Sequence, residues 1–199
     1  MKIFLRIVGV VIVLAVISFA GWRYYVAHRA RAAGIVSQDI TRSGDTWTAN
    51  IQARVPAPLD AVYNAMSDVQ HLHSSQIKAV RVVSESGNTK IVDMDLNGPA
   101  DQVITARLQF DYDPAQHRIS YHTVNSPMLN TDAQYSLDDE GSSTLISLHE
   151  TTKFAQQLPV PDGVIKDVIS QIFVAQLEGL KQALHIQTAN QSDKGGEEF

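Results

Sequence analysis

The sequence predicts an α+β domain in which an antiparallel meander of strands is followed by one long C-terminal α-helix. Two patterns carry that expectation. Segments of alternating apolar and polar residues are punctuated by turn signals at Ser43-Gly44-Asp45, Ser86-Gly87-Asn88, Asp113-Pro114, Ser126-Pro127 and Asp139-Glu140-Gly141. Then, over Val164 to Ile186, Ile165, Ile169, Phe173, Leu177, Leu180 and Leu184 recur at helical spacing, flanked by Val168 and Ile172. That stripe is broader than a surface helix needs and suits a helix gripped against the face of a curved sheet. Of the 199 residues, those left after an apolar N-terminus suffice for one domain with a real core, not comfortably for two.

The first element is a membrane segment. Ile7 to Ala20 is interrupted only by Gly9 and Ser18, and Ile3 to Trp22 spans 20 residues. At about 1.5 Å per residue such a helix crosses roughly 30 Å of hydrocarbon. Arg6 stands near one end, where it snorkels to headgroups, and Trp22, Tyr24 and Tyr25 stand where an interfacial aromatic belt belongs. Residues 1–25 therefore read as a transmembrane anchor, with 26–34 as a helical juxtamembrane segment ending at Gly34. The rival reading is a cleaved signal peptide, with Lys2 and Arg6 as its basic end, Ile7 to Ile17 as its apolar stretch and Ser18-Phe19-Ala20 as the cleavage site. The belt and the basic Arg23 to Arg31 stretch favour retention. The short leader-like tail favours a single-pass inner-membrane protein with a periplasmic domain, or a secreted periplasmic domain if the segment is cleaved.

The domain occupies 35–186. Ile35 to Thr41 and Thr46 to Val55 form a first hairpin. Pro56 and Pro58 end it, and Pro58 suits the first turn of a helix, where its missing N–H costs nothing. Leu59, Val62, Tyr63 and Met66 put one apolar stripe on that helix, which runs to about Ser67. A short helical piece follows around Val69 to Gln76, then a second hairpin of Ile77 to Ser86 and Thr89 to Asn97. Ala100 to Tyr112 alternates as a long half-buried strand, and Arg118 to Val124, Leu129 to Leu137 and Ser143 to Phe154 continue the meander. Pro159 and Pro161 end the strands, and Asp162 is the expected cap of the long helix. Gln187 to Phe199 is polar and is expected as a disordered tail.

The stretch from Ile51 to Asp68, a strand ending in Ala57-Pro58 and opening at once into a helix with Val62-Tyr63 and then Ser67-Asp68, resembles the opening of the START-like, or SRPBCC, superfamily. That superfamily includes polyketide cyclase/dehydratase-like proteins, coenzyme Q-binding proteins and lipid-transfer domains. The resemblance covers roughly Ile35 to Ile186 in the order of its elements. It implies a helix-grip fold, an antiparallel sheet wrapped around the last helix, with a cavity between them for a hydrophobic small molecule or lipid.

Composition narrows the function classes. The net charge of −5 hides an asymmetry, because residues 1–34 carry Lys2, Arg6, Arg23, Arg29 and Arg31 and no acid. The remainder sets 21 Asp and Glu against 11 Lys and Arg, about −10 by formal count. Such an acidic body is a poor nucleic-acid binder. There is no cysteine, so disulfides, thiol nucleophiles and Cys-ligated zinc are impossible. No cofactor is implied: Gly-rich nucleotide loops, a G-x-S-x-G elbow and HExxH spacing are all missing.

His71, His73, His117, His122 and His149 show no ligand spacing with acids, so no metal site is assigned and they read as surface or hydrogen-bonded groups. Asp93 and Asp95 share one face of a strand and read as a solvated outer face opposite Val92, Met94 and Leu96. No catalytic pair has a telling spacing. The cavity implied by the resemblance makes Phe110, Tyr112, Tyr121, Glu150, Ile169 and Phe173 the candidate ligand contacts. If Ile104, Ala106, Leu108 and Phe110 face inward, Tyr112 joins them, while Tyr121 shares a face with Ile119 and Glu150 with Ile146 and Leu148. Three functions are open: a membrane-tethered binding domain, a cyclase/dehydratase-like enzyme using Glu150, Tyr112 or Tyr121, and a non-binding envelope scaffold. In the last, Met94, Phe110, Phe154 and Phe173 would fill the centre.

Overall fold

The structure is a computed structural model and describes Tyr25 and residues 28–71, 77–97, 103–155 and 161–194. Its strands are β1 (Ile35–Ser43), β2 (Thr46–Val55), β3 (Ile77–Ser86), β4 (Thr89–Asn97), β5 (Val103–Asp113), β6 (Arg118–Asn125), β7 (Leu129–Asp139) and β8 (Thr144–Phe154). Helix α1 (Leu59–Ser67) and a 3-10 turn (Val69–His71) separate β2 from β3, and α2 (Asp162–Lys194) follows β8. All eight strands form one antiparallel sheet in the order β1-β2-β8-β7-β6-β5-β4-β3. The connection through α1 thus carries the chain from β2 to the opposite edge, where β3 begins. Register shifts in β1, in β3 and between β5 and β6 bend the sheet, as extra residues in one strand do. This is the helix-grip architecture.

Period-two alternation decides which side chains face inward. In β2 the buried residues are Trp47, Ala49, Ile51, Ala53 and Val55, and in β8 they include Thr144, Ile146, Leu148 and Thr152. From α1, Val62, Tyr63 and Ala65 enter the core, with Leu59 and Met66 packed at its margin. Pro58 sits just before the first helical residue, and its carbonyl accepts from the Val62 N–H at 3.1 Å. The Thr144 hydroxyl donates to the Ala57 carbonyl at 2.8 Å and pins this corner to β8. Fully buried Ile51, Ile146 and Val62 each contribute about 1.5–3 kcal/mol of apolar transfer free energy.

On the outer face, Asp93 pairs with Arg107 and Asp95 with Arg81, each through two bonds of 2.6–3.0 Å, and Thr105 donates to Asp95 at 2.7 Å. Arg81 and Thr105 lower the Asp95 carboxyl to about 2. The solvated-face reading of this pair therefore holds. His117 meets Asp60 at 3.2 Å and His149 meets Asn50 at 2.7 Å, both at the exposed surface.

Several expectations change. Helix α2 runs to Lys194, so the segment expected as a disordered tail continues the helix for most of its length. No glycine or proline interrupts the sequence between Leu180 and Lys194, so nothing there ends the helical hydrogen bonding. Asp162 is the first helical residue rather than the cap; the Pro161 carbonyl accepts from the Val164 N–H at 2.9 Å, and Asp162 bonds Arg42 at 2.8 Å. Residues 28–33 are helical and end at Gly34. Among the described residues no helix is long and apolar enough to cross a membrane. The expected anchor or signal peptide, Ile3 to Trp22, lies outside the described residues, as does His73.

Candidate functional site

A cavity of about 510 Å³ lies between the inner face of the sheet, α1 and α2. That volume falls within the range of small-molecule pockets, about 300–1,000 Å³. Its walls are mostly aliphatic and aromatic. Met94, Phe110, Phe154 and Phe173 line it without closing it, so the filled centre expected of a scaffold does not occur. The side chains of Val164, Val168 and Ile172, one turn apart on α2, line it and are also exposed.

Strand register explains the polar patch in this apolar wall. Across the sheet, Phe110, Tyr121, Ala133, Glu150 and Ala49 are successive partners in one row. Ala133, between Tyr121 and Glu150, has only a methyl group. The Tyr121 hydroxyl therefore reaches past it and donates to Glu150 Oε2 at 3.0 Å. On the other side of the carboxylate, the Thr152 hydroxyl donates to Oε1 at 2.9 Å. Thr131 and Thr152 hydroxyls meet at 2.9 Å. Since the one Thr152 hydroxyl hydrogen is directed at Glu150, Thr131 is the donor to Thr152. In the neighbouring row, the Tyr135 hydroxyl donates to Gln176 Oε1 of α2 at 3.0 Å. The rings of Phe110 and Tyr121 lie 5.3 Å apart, and those of Tyr121 and Tyr135 lie 6.2 Å apart, so the network rests on an aromatic row.

Burial sets the protonation chemistry. It raises the Glu150 carboxyl above the ordinary glutamate range, and the bonds from Thr152 and Tyr121 only partly oppose it. Burial pushes the Tyr121 hydroxyl well up, and proximity to Glu150 pushes it further. Tyr135 rises for the same first reason. Both tyrosines therefore stay protonated donors, and Glu150 is the carboxyl on this wall, its proton held more tightly than that of an exposed glutamate. Among the described residues lining the cavity there is no Lys, Arg or His. No group of three or more His, Cys, Asp or Glu converges among the described residues.

Five of the six candidate contacts, Phe110, Tyr121, Glu150, Ile169 and Phe173, line the cavity. Tyr112 does not, although it shares the inward face of β5. One row beyond Phe110, it stacks on that ring at 6.3 Å, with the Lys90 amine 5.5 Å from its own ring centre. Its hydroxyl is buried without a hydrogen-bond partner, as is that of Tyr63 on α1. Tyr112 is partly buried and packs against the core rather than lining the cavity. Thr131, Tyr135, Thr152 and Gln176 line the cavity and were missed. Tyr135 was legible, since Leu129, Thr131, Ala133, Tyr135 and Leu137 alternate inward along β7. Gln176 was not, because a polar residue beside an apolar helical stripe reads as its solvated margin.

The family model "Polyketide cyclase / dehydrase and lipid transport" matches residues 46–185. No curated protein matches the chain. Among solved structures, the protein TTHA0849 from Thermus thermophilus is similar at 16% identity and TM-score 0.56, covering 73% of this chain and 99% of that one. The Zhui aromatase/cyclase from Streptomyces sp. R1128 is similar at 15% identity and TM-score 0.54, covering 67% and 93%. A START superfamily protein from Mycobacterium smegmatis is similar at 17% identity and TM-score 0.54, covering 72% and 97%. At these identities the structures attest the fold alone. The family match spans well over half of the 199 residues, and with the curved sheet, the gripped helix and the cavity between them it leads to one conclusion: the chain belongs to the polyketide cyclase/dehydrase and lipid transport family, on a START-like fold.

Proposed function

We propose that this protein is a membrane-tethered binding domain that holds a hydrophobic small molecule or lipid between its sheet and α2. The observation that carries the reading is the unfilled, largely apolar cavity of about 510 Å³ with one cluster of polar groups on its wall. The apolar run from Ile3 to Trp22 supports the tether, and the short leader-like tail supports a periplasmic domain. The full chain, purified from its membrane in an amphipathic polymer, is expected to release a stoichiometric apolar compound on solvent extraction and mass spectrometry. It is also expected to bind a neutral solvatochromic dye displaceable by that compound. An empty cavity with no dye binding overturns the reading. Full protection of the domain from protease in spheroplasts overturns the periplasmic orientation.

The Tyr121–Glu150 contact favours a second reading, an enzyme of cyclase or dehydratase type. A carboxyl raised by burial and a phenol bonded to it on the wall of a largely apolar cavity form an acid/base pair of suitable reach. Turnover separates the two. An enzyme loses function in a complementation assay when Tyr121 and Glu150 are both replaced by Phe and Gln, whereas a carrier retains partial function.

A further inference from the structure

We propose that the mouth of the cavity is held against a bilayer surface, with Val164, Val168 and Ile172 of α2 set into the leaflet that the apolar run from Ile3 to Trp22 enters. This rests on the tether reading above and goes beyond it, since a tether alone leaves the domain free to face any way.

The strands define two ends of the sheet. At one, Ile77 pairs with Leu96 across β3 and β4, and Leu129 pairs with Phe154 across β7 and β8. All four line the cavity and are only half-buried. Helix α2 begins at this end, where Asp162 bonds Arg42 near the close of β1. Its opening turns carry Val164, Val168 and Ile172, which are 40%, 51% and 40% exposed although each also lines the cavity. The cavity therefore opens here. Val103 and Val124, at the start of β5 and the end of β6, add exposed apolar surface at the same end. At the opposite end the strands and their turns carry Glu85, Asp111, Asp113, Asp138, Asp139 and Glu140. The molecule is thus apolar at its mouth and acidic at its far end. Single exposed valines are ordinary, but three on consecutive turns beside an open apolar cavity form a surface that calls for a partner.

The chain's own N-terminal side names that partner. Residues 28–33 lie on α2 and run the same way along it: Lys181 reaches the Ala32 carbonyl at 3.3 Å, while Arg29 bonds Gln171 at 3.3 Å and also Glu178. Ala30 and Ala33 are buried in this contact, and Gly34 then hands the chain to β1 at the acidic end. The clamped helix therefore starts on the side of the mouth. Residues 23–27 alone separate it from Trp22, so even a fully extended link spans only about 20 Å. A strand of 11 residues such as β7 is longer, at roughly 36 Å. The link is too short to turn the far end to the bilayer, and anionic headgroups would repel the acids there. What remains is the apolar end, which gains by leaving water.

The chain has no cysteine, so one introduced by substitution takes a thiol-reactive fluorophore at a single place. Val168→Cys puts it on the ridge. Val83→Cys is the control, because Val83 is 49% exposed and lies on β3 toward the acidic end. The full chain is reconstituted into vesicles of equal parts phosphatidylcholine and phosphatidylglycerol, with or without a lipid bearing a nitroxide near the top of its acyl chain. Interfacial side chains reach about 5–10 Å into the headgroup and acyl boundary, so the nitroxide is expected to quench the Val168 probe at least about three-fold more than the Val83 probe. Equal quenching in chains that resist alkaline carbonate extraction overturns the inference while the tether reading stands. A Val168 probe that is blue-shifted but unquenched by lipid means that a second copy covers the ridge, and this too overturns the inference. If carbonate strips the chain from the vesicles, the tether reading falls and the inference with it. Ile172→Cys, one turn further along, gives the same comparison should Val168→Cys fail to fold.

Discussion

Glu150 accepts hydrogen bonds from Tyr121 and Thr152, yet its carboxyl is raised, because burial outweighs both. The sign of the pH dependence follows. An unfolded chain releases this proton near the ordinary value of about 4.3, whereas the folded chain holds it to higher pH. Between those values the unfolded state binds fewer protons, so stability falls as pH rises. The contribution is complete below the unfolded value and is lost as pH passes the folded one. Asp93, Asp95 and Glu140 act in the opposite direction. Their arginine partners lower them, so their contribution is present above the ordinary carboxylate range and lost in acid. Those pairs are solvent-exposed and individually weak. Glu150→Gln keeps the shape and removes the titration. The gap in Tm between Glu150→Gln and the parent chain is expected to widen in favour of the variant as pH rises from about 4.3. Thermal melts across a pH series read that gap, and a gap constant with pH would show that Glu150 titrates like an exposed glutamate.

Among the elements, the join between the helical residues 28–33 and β1 has the least room for change. Gly34 adopts φ +98°, donates to the Arg31 carbonyl at 3.0 Å and accepts from the Arg54 N–H at 2.9 Å. A Cβ placed there would stand 2.5 Å from the Arg54 carbonyl oxygen, a backbone atom that cannot step aside. Left-handed backbone and steric overlap combine at a single residue. The same junction seats Ala30 and Ala33 in the core and brings Arg29 to Glu178 and Gln171 on α2. Gly34→Ala is expected to destabilise the protein by about 2 kcal/mol or more, read as a drop in the midpoint of chemical denaturation. A change under about 0.5 kcal/mol would mean that this junction relaxes freely. Elements of this kind were largely legible in the sequence. Hairpin corners fell at the Gly-containing turns, since few residue types tolerate such backbone, and the inward face of β5 followed from strict alternation. The end of α2 was not legible. Low hydrophobicity after Ile186 removes the apolar stripe, and Thr188, Asn190, Ser192 and Asp193 are weak helix formers, yet no glycine or proline stops the helix before Lys194.

For the molecule as a whole, the lesson is that side-chain direction was legible while depth was not. Alternation along β5 assigns Phe110 and Tyr112 to the same inward face, yet one lines the cavity and the other packs against Phe110 outside it. What separates them is depth along the sheet relative to the cavity, a tertiary fact no period of two records. Gln176 was missed for a related reason: its partner Tyr135 is far away in sequence, on β7, and only the grip of α2 on the sheet brings them to 3.0 Å. The cavity arises at the same scale. A curved sheet and the helix it grips leave a space that their side chains do not fill, and the interior forgoes the dispersion contacts that would occupy it. Function and stability should therefore trade against each other here. Ala106 is buried, lines the cavity from β5 and faces Met94 across the β4–β5 pair. Ala106→Phe puts a ring into the space without touching the Glu150 network. Cavity-filling substitutions raise stability by about 0.5–2 kcal/mol where the new side chain finds a relaxed rotamer. The variant is expected to melt above the parent chain and to lose dye binding together. Higher stability with dye binding intact would place the bound molecule elsewhere. Lower stability with dye binding lost would mean that the space is already shaped around core side chains rather than held open for a ligand.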